Sequence, residues 1–228
     1  MSTRHNIFTK IRRSLSISDA DSARQTAMST HLTKSNRAPA TSDDVDIIQR
    51  FTTCATQSHA SVTQIHDLCN LPDEVTRYLN SKGLPLSIRM GSDPLLQIAF
   101  RNHDATSALK LLFGASDGSD RAALSHARFG IAESGALVLS SGPHNPTTLN
   151  FLPEYHLVAV CAEQLCDSLE DALEQIGRTD GNCKLPRAVH LITGPSRSGD
   201  IEQKIIMGAH GPRALHIIIV HASLPPYF

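Results

Sequence analysis

Tryptophan is absent from the 228 residues, and aromatic residues of all kinds make up only 4% of them. The core must therefore be aliphatic, drawn from a 40% hydrophobic composition, which favours a Val/Ile/Leu-rich sheet covered by helices. Neither charge is in excess: 21 Lys+Arg stand against 22 Asp+Glu, a formal net charge of -1. That balance removes the global attraction on which a nucleic-acid binder depends. No apolar run approaches the roughly 18 residues that a transmembrane helix needs, and no apolar segment of signal-peptide type opens the sequence. A soluble protein of a reducing, cytoplasmic compartment is expected. The cysteines (Cys54, Cys69, Cys161, Cys166, Cys183) are odd in number, and no two are separated by only two residues. This excludes a disulfide ladder, a zinc knuckle and a ferredoxin-type run, and Cys161, inside an apolar stretch, reads as a buried thiol.

The charge that is present is unevenly placed. Residues 1–40 hold seven Lys/Arg and two Asp, a net of +5, which leaves the remainder near -6. Within that opening segment Ile7, Phe8, Ile11 and Leu15 recur at helical spacing among Arg4, Lys10, Arg12 and Arg13, the pattern of a basic amphipathic helix. Such a helix could pack on its own domain or a partner subunit, act as an organelle presequence, or lie on a membrane surface. Residues 16–41 are rich in Ser, Thr, Asp and Asn and read as a linker. The chain thus divides into residues 1–42, a helical extension and linker, and residues 43–228, an α/β domain.

Ser42-Asp43-Asp44 is placed to cap a helix running through Val45, Ile47, Ile48 and Phe51. Beyond it, Ala60 to Ile65 reads as a strand, Leu71 to Ser81 as a helix with Pro72 in its first turn, and Leu84 to Met90 as a second strand. A strand–helix–strand unit predicts parallel pairing. Ala136 to Ser140, Leu157 to Cys161, Ala188 to Thr193 and Leu215 to Val220 are short aliphatic runs with the look of buried strands. Between two of them, Asp167 to Ile176 puts Leu169, Ala172, Leu173 and Ile176 on one helical face. One open, mostly parallel sheet with helices on both faces accounts for the pattern.

Chemistry-bearing residues gather in the second half. In Ala132-Glu133-Ser134-Gly135 a carboxylate precedes a small-residue turn into a strand; desolvated there, Glu133 could act as base, acid or nucleophile, and otherwise it satisfies backbone donors in the turn. His156 begins the strand after Phe151-Leu-Pro-Glu-Tyr155, where a core histidine and a general base are alternatives. In Thr193-Gly194-Pro-Ser-Arg-Ser-Gly-Asp-Ile-Glu202 a strand runs into a turn of the kind that binds ligands at the carboxyl ends of α/β strands. Freed backbone N–H groups at Gly194, with Ser196, Ser198 and the Arg197 guanidinium, would receive a carboxylate or phosphate, unless Asp200 or Glu202 neutralises Arg197 internally. In Gly208-Ala-His210-Gly211-Pro-Arg213, glycines on both sides of His210 permit a sharp turn. Neither glycine pattern has the spacing of a nucleotide-binding loop, so no nucleotide cofactor is implied.

The order, spacing and residues of Ala132–Ser140, Leu152–His156, Gly194–Glu202 and Gly208–Pro212 resemble the LUD domain of the lactate-utilisation protein C family, and the resemblance extends from about Asp43 to Val220. Where that family commonly has Thr, this chain has Ser134, Tyr155 and Ser198. The resemblance implies a fold similar to the sugar-phosphate isomerase and coenzyme A transferase-like group. It further implies L-lactate oxidation to pyruvate beside two iron–sulfur partner subunits, with no cofactor in this chain. By chemical aptitude, Arg197 and Ser196 would hold the carboxylate of lactate or pyruvate, His156 or His210 would take the hydroxyl proton, and Glu133 would orient one of them. Ser134, Gly194, Asp200, Glu202, Gly211 and Arg213 complete the expected binding set. Two other functions stay open: acyl transfer through a Glu133 anhydride, since Ala-Glu-Ser-Gly resembles the glutamate turn of coenzyme A transferases, and a non-catalytic assembly or regulatory module docking through the basic N-terminus.

Overall fold

The computed structural model describes residues 3–15, 26, 46–102, 108–179, 186–201, 204–208 and 210–221, with residues 177–179, 198–201 and 204–207 described by backbone alone. Two units separate, Met1–Thr41 and Ser42–Phe228. In the first, helix α1 (Thr3–Ser14) forms with no buried residue; its apolar stripe of Ile7, Phe8 and Ile11 is exposed, and Arg4 and Arg12 lie over the Phe8 ring at 5.7 and 6.0 Å. The expected cap at Ser42–Asp44 lies outside the described residues.

In the second unit the aliphatic runs become strands. Strands β1 (Ser61–Ile65), β2 (Ser87–Met90), β3 (Lys110–Phe113), β4 (Ala122–His126), β7 (Tyr155–Cys161) and β12 (Ala214–Val220) form one sheet in the order β1-β12-β7-β4-β2-β3. Every pairing in it is parallel. Strand β2 starts later than the expected Leu84, because Pro85 has no N–H to donate to a neighbour. The central strands are buried on both faces, and alternation divides them between two cores. Leu157, Ala159, Ile218 and Val220 pack with Leu71, Val75 and Leu79 of helix α3 (Leu71–Ser81) and with Leu95 and Leu96 of α4 (Pro94–Ala99). Val158, Val160, Leu215, Ile217 and Ile219 face Phe51 and Ala55 of helix α2 (Ile47–Gln57). Each fully buried aliphatic side chain contributes about 1.5–3 kcal/mol, and this burial is the main term holding the layers together.

The expectation of a single sheet needs correction. Strands β5 (Phe129–Ile131), β6 (Ala136–Ser140), β8 (Leu165–Cys166) and β9 (Val189–Ile192) make a second sheet of order β8-β5-β6-β9, with β6 antiparallel to both neighbours. It shares one core with the large sheet through Leu137, Leu139 and Leu165, so that face is covered by α2 and a sheet instead of helices alone. The outer face of the small sheet is covered by helix α6 (Leu169–Thr179), whose Ala172 and Ile176 pack on Phe129, Ile131, Ala136 and Val138. The helix expected between the Leu157–Cys161 and Ala188–Thr193 runs forms as α6, but these runs, β7 and β9, lie in different sheets; in the small sheet α6 links β8 to β9, which point the same way with two strands between them. A short helix α5 (Thr148–Phe151) leads into β7, and strands β10 (Arg197–Ile201) and β11 (Lys204–Met207) form a hairpin with a register shift between Ser198 and Ile201.

Candidate functional site

The hairpin explains why two motifs distant in sequence meet. Arg197 pairs with Met207 across it, Ser196 N–H donates to Pro212 O at 2.8 Å, and Gly208 N–H donates to Ser196 O at 2.9 Å. The Gly194–Arg197 turn and the Gly208–Pro212 turn are thereby zipped into one wall. Facing them are the first residues of β7 and β12, and a cavity of about 430 Å3 lies between, lined by Asn150, His156, Gly194, Ser196, Arg197, His210 and Gly211 among others. That size lies within the range of small-molecule sites.

The site is not where the general rule for open α/β sheets put it. Gly194 does follow the carboxyl end of β9, but β9 belongs to the small sheet; the parallel strands that meet the turn, β7 and β12, contribute their amino ends, at His156 and Leu215. The carboxyl side, where strand order reverses between β4 and β2, is occupied by the protein's own charges. Asp93 accepts from Leu95 N–H and Leu96 N–H at the start of α4 and pairs with His126 at 3.2 Å, while His126 Nε2 lies 3.0 Å from Gln164 Oε1. Burial opposes a charge on His126, yet its hydrogen bonds to Asp93, Cys161 and Gln164, with the Asp93 charge, outweigh it and raise its pKa to about 10. A satisfied ion pair fills the crevice that this fold class commonly offers to ligands.

His156 is fully buried. Its Nε2 lies 3.0 Å from Ser125 Oγ, and Ser125 Oγ donates to Asn150 Oδ1 at 3.3 Å. With the serine proton committed to Asn150, the network assigns the imidazole proton to Nε2 and leaves Nδ1 as an acceptor. That Nδ1 is buried with no protein partner. Desolvation lowers the His156 pKa to about 3, so the ring is neutral at physiological pH. Ser125 and Asn150, which the sequence did not single out, join His156 in this buried hydrogen-bond chain.

His156, Gly194, Ser196, Arg197, His210 and Gly211 are thus brought together. Arg213 lies one cavity further, a space of about 550 Å3 shared with His210 and Glu154, and forms an ion pair with Glu154 at 3.9 Å; Arg121 reaches the same oxygen at 3.2 Å. The Asp200 side chain and all of Glu202 lie outside the described residues. Glu133 and Ser134 are not part of the cavity lining. Both are exposed: Glu133 Oε1 accepts from Leu169 N–H at 2.9 Å, at the amino end of α6, and Ser134 Oγ accepts from Ala136 N–H at 3.4 Å. The expectation that Glu133 orients a site histidine is corrected accordingly, because its turn delivers the carboxylate to unpaired helix N–H groups with favourable dipole orientation. Glu133→Gln is expected to cost about 1 kcal/mol, read as a small drop in melting temperature, with ligand binding at the cavity unchanged.

An α/β domain with a parallel sheet, an appended smaller sheet and a cavity walled by two glycine turns is the class that this geometry defines. Residues 115–220 match the LUD domain model, so that stretch is similar to the LUD domain family. The match covers less of the chain than the Asp43–Val220 span of the motif resemblance. Among relatives, lactate utilization protein C of Bacillus pumilus is 35% identical over 91 residues, 39% of this chain and 38% of that protein. The protein of the same name from Shouchella clausii is 32% identical over 90 residues, 39% of each chain, and an uncharacterized protein of Neisseria meningitidis is 35% identical over 99 residues, 43% of this chain and 42% of that one. These alignments span about two-fifths of the relatives' length. The crystal structure of a DUF162 family protein from Deinococcus radiodurans shares the fold, with a TM-score of 0.54 at 18% identity over 76% of this chain and 96% of that one.

Proposed function

We propose that the protein serves lactate utilisation in the cytoplasm as the subunit that holds the small hydroxy acid, beside two iron–sulfur partner subunits that accept the electrons. The observation that carries this reading is a cavity whose wall brings His156, with its buried and unpartnered Nδ1, together with Arg197 and Ser196. The name shared by several LUD relatives supports the choice of lactate. In this arrangement Arg197 and Ser196 bind the carboxylate, since a guanidinium–carboxylate hydrogen bond is stronger than a neutral one.

Burial separates the two histidines. A ring with a pKa near 3 is a good hydrogen-bond acceptor but a poor base at neutral pH, where an effective base has a pKa close to the ambient value. His156 therefore orients the hydroxyl group, and His210, exposed at the mouth between the two cavities, takes the proton. Oxidation of lactate to pyruvate releases two electrons and two protons; the electrons leave for the partner subunits. An acyl-transfer role through Glu133 has less support, because that carboxylate caps α6. In cells lacking the native gene, Arg197→Ala is expected to fail to restore growth on L-lactate while accumulating to the wild-type level. Normal growth would remove Arg197 from the site.

A further inference from the structure

A second constellation lies on the other side of the Pro195–Arg197 turn. Ser61 opens β1, the edge strand of the large sheet, and stands opposite His216 of β12 in register. Ser61 Oγ is 2.8 Å from His216 Nδ1, and His216 Nε2 is 3.0 Å from Glu74 Oε1 on α3. The Oγ also has a longer contact, 3.4 Å, to Leu215 O. Ser61 is exposed, whereas both residues behind it are buried, His216 at 2% and Glu74 at 7% exposed. Arg77 donates to both oxygens of Glu74, at 2.5 and 2.7 Å, and the Tyr78 ring stacks on the imidazole with centroids 4.1 Å apart and planes 13° from parallel. The imidazole is held by a carboxylate at one edge and an aromatic plane on one face, with a hydroxyl at its other edge.

Burial lowers the pKa of His216 against the opposing pull of Glu74. Burial would raise that of Glu74, but hydrogen bonds from Arg77 and His216 outweigh it and keep the carboxyl below its usual value. A neutral ring next to an ionised carboxylate keeps its proton on Nε2, so Nδ1 accepts from the serine. These are the roles of nucleophile, base and orienting acid, with the ring nitrogens used in the opposite sense from the chymotrypsin-type triad. The hydroxyl opens on a cavity of about 440 Å3 whose wall includes Lys82, Arg197 and Arg213. Ser61 and Glu74 both precede the stretch matched by the LUD domain model, so the constellation joins that stretch to the part of the chain before it.

We propose that Ser61, His216 and Glu74 form a hydrolytic triad acting on carboxylic esters or thioesters whose acyl portion carries an anionic group. Ser61 Oγ attacks the carbonyl carbon as its proton passes to His216 Nδ1. The tetrahedral adduct collapses, the bond to the alcohol or thiol breaks, and that leaving group takes the proton from His216. Water then attacks the acyl-serine, giving its proton to His216, which returns it to Ser61 as the acid departs; the sum is ester plus water to acid plus alcohol or thiol. Lys82, Arg197 and Arg213 select the anionic acyl group, a preference that a purely structural hydrogen-bond chain would not confer.

The test uses the full chain with the mono-p-nitrophenyl ester of succinic acid and with p-nitrophenyl acetate, following release of p-nitrophenolate, and locates any acyl group by peptide mass spectrometry after acid quench. The expected result is faster turnover of the succinyl ester than of the acetate, with the acyl group on Ser61. Ser61→Ala, a small change at an exposed position, should lower the rate by about 100- to 10,000-fold with an unchanged melting temperature, and Glu74→Gln should lower it while still allowing acylation at Ser61. An unchanged rate in Ser61→Ala, an acyl group on another residue, or turnover no faster than in buffer would each overturn the proposal. None of these outcomes depends on hydroxy-acid binding in the neighbouring cavity, so the two readings stand or fall separately.

Discussion

As pH falls from 6.5 to 5 the protein is expected to lose stability on account of His156 alone with a slope that steepens from about 0.7 to about 1.4 kcal/mol per pH unit, the upper value being that for one proton bound by the unfolded chain and not by the native one. In the unfolded chain this histidine takes up a proton near its ordinary value of 6.5, whereas burial beside Ser125 holds the native pKa at about 3. A depressed native pKa on a base means that protons favour the unfolded state, so the contribution is fully present above pH 6.5 and declines as pH falls towards 3. His216, lowered in the same direction, adds to the slope. Most carboxylates remain ionised above pH 5, which makes this window diagnostic for histidine. Urea unfolding at several pH values should show a slope steeper in the wild type than in His156→Gln, by a difference approaching one proton near pH 5; the opposing contribution of His126, whose pKa is raised, is common to both proteins. An equal slope in both would mean that His156 is charged in the native state and that the acceptor role assigned to its Nδ1 is wrong.

Gly194→Ala is expected to be the most damaging single-methyl addition in the site. Gly194 has φ of +69°, in the left-handed region that costs an L-residue roughly 1–2 kcal/mol. A Cβ there would stand 2.0 Å from Ser58 O, immediately after α2, and that atom belongs to the backbone. The turn and the end of α2 would have to separate, carrying Ser196 and Arg197 out of the cavity wall. A loss of about 2–4 kcal/mol follows from strain and displacement together, read as a lowered urea midpoint and, in the surviving folded protein, weakened ligand binding. A midpoint within 0.5 kcal/mol of wild type, the ordinary range for a surface substitution, would show that this turn is looser than the close approach to Ser58 implies.

The aliphatic strands were legible because burial on both faces demands uninterrupted Val, Ile and Leu, as in Leu157–Cys161 and Leu215–Val220. The same logic hid the second sheet: Ala136–Ser140 and Ala188–Thr193 are equally apolar, and nothing local says which sheet a buried strand joins. Strand β4, Ala-Ala-Leu-Ser-His, is short and half polar, so it escaped notice although it supplies both Ser125 and His126. In the site, the two glycine turns announced themselves by composition. What the sequence could not convey was orientation: that His156 begins its strand is plain, but that the Gly194 turn meets this amino end, and not a carboxyl end, depends on how the small sheet is laid against the large one. Glu133 shows the converse difficulty, since a carboxylate at a turn suits a reacting centre and a helix amino terminus equally well until the neighbouring helix is in place.

The central claim is that the cavity between the Gly194 and Gly208 turns receives a small carboxylate through Arg197. Calorimetric titration of the purified protein with L-lactate and pyruvate at moderate salt, beside Arg197→Ala, tests it most directly. The account predicts saturable binding whose Kd rises by about 10- to 100-fold in the variant, the equivalent of one charge-assisted hydrogen bond. Binding of equal strength in both proteins, or none to either at millimolar ligand, would contradict it.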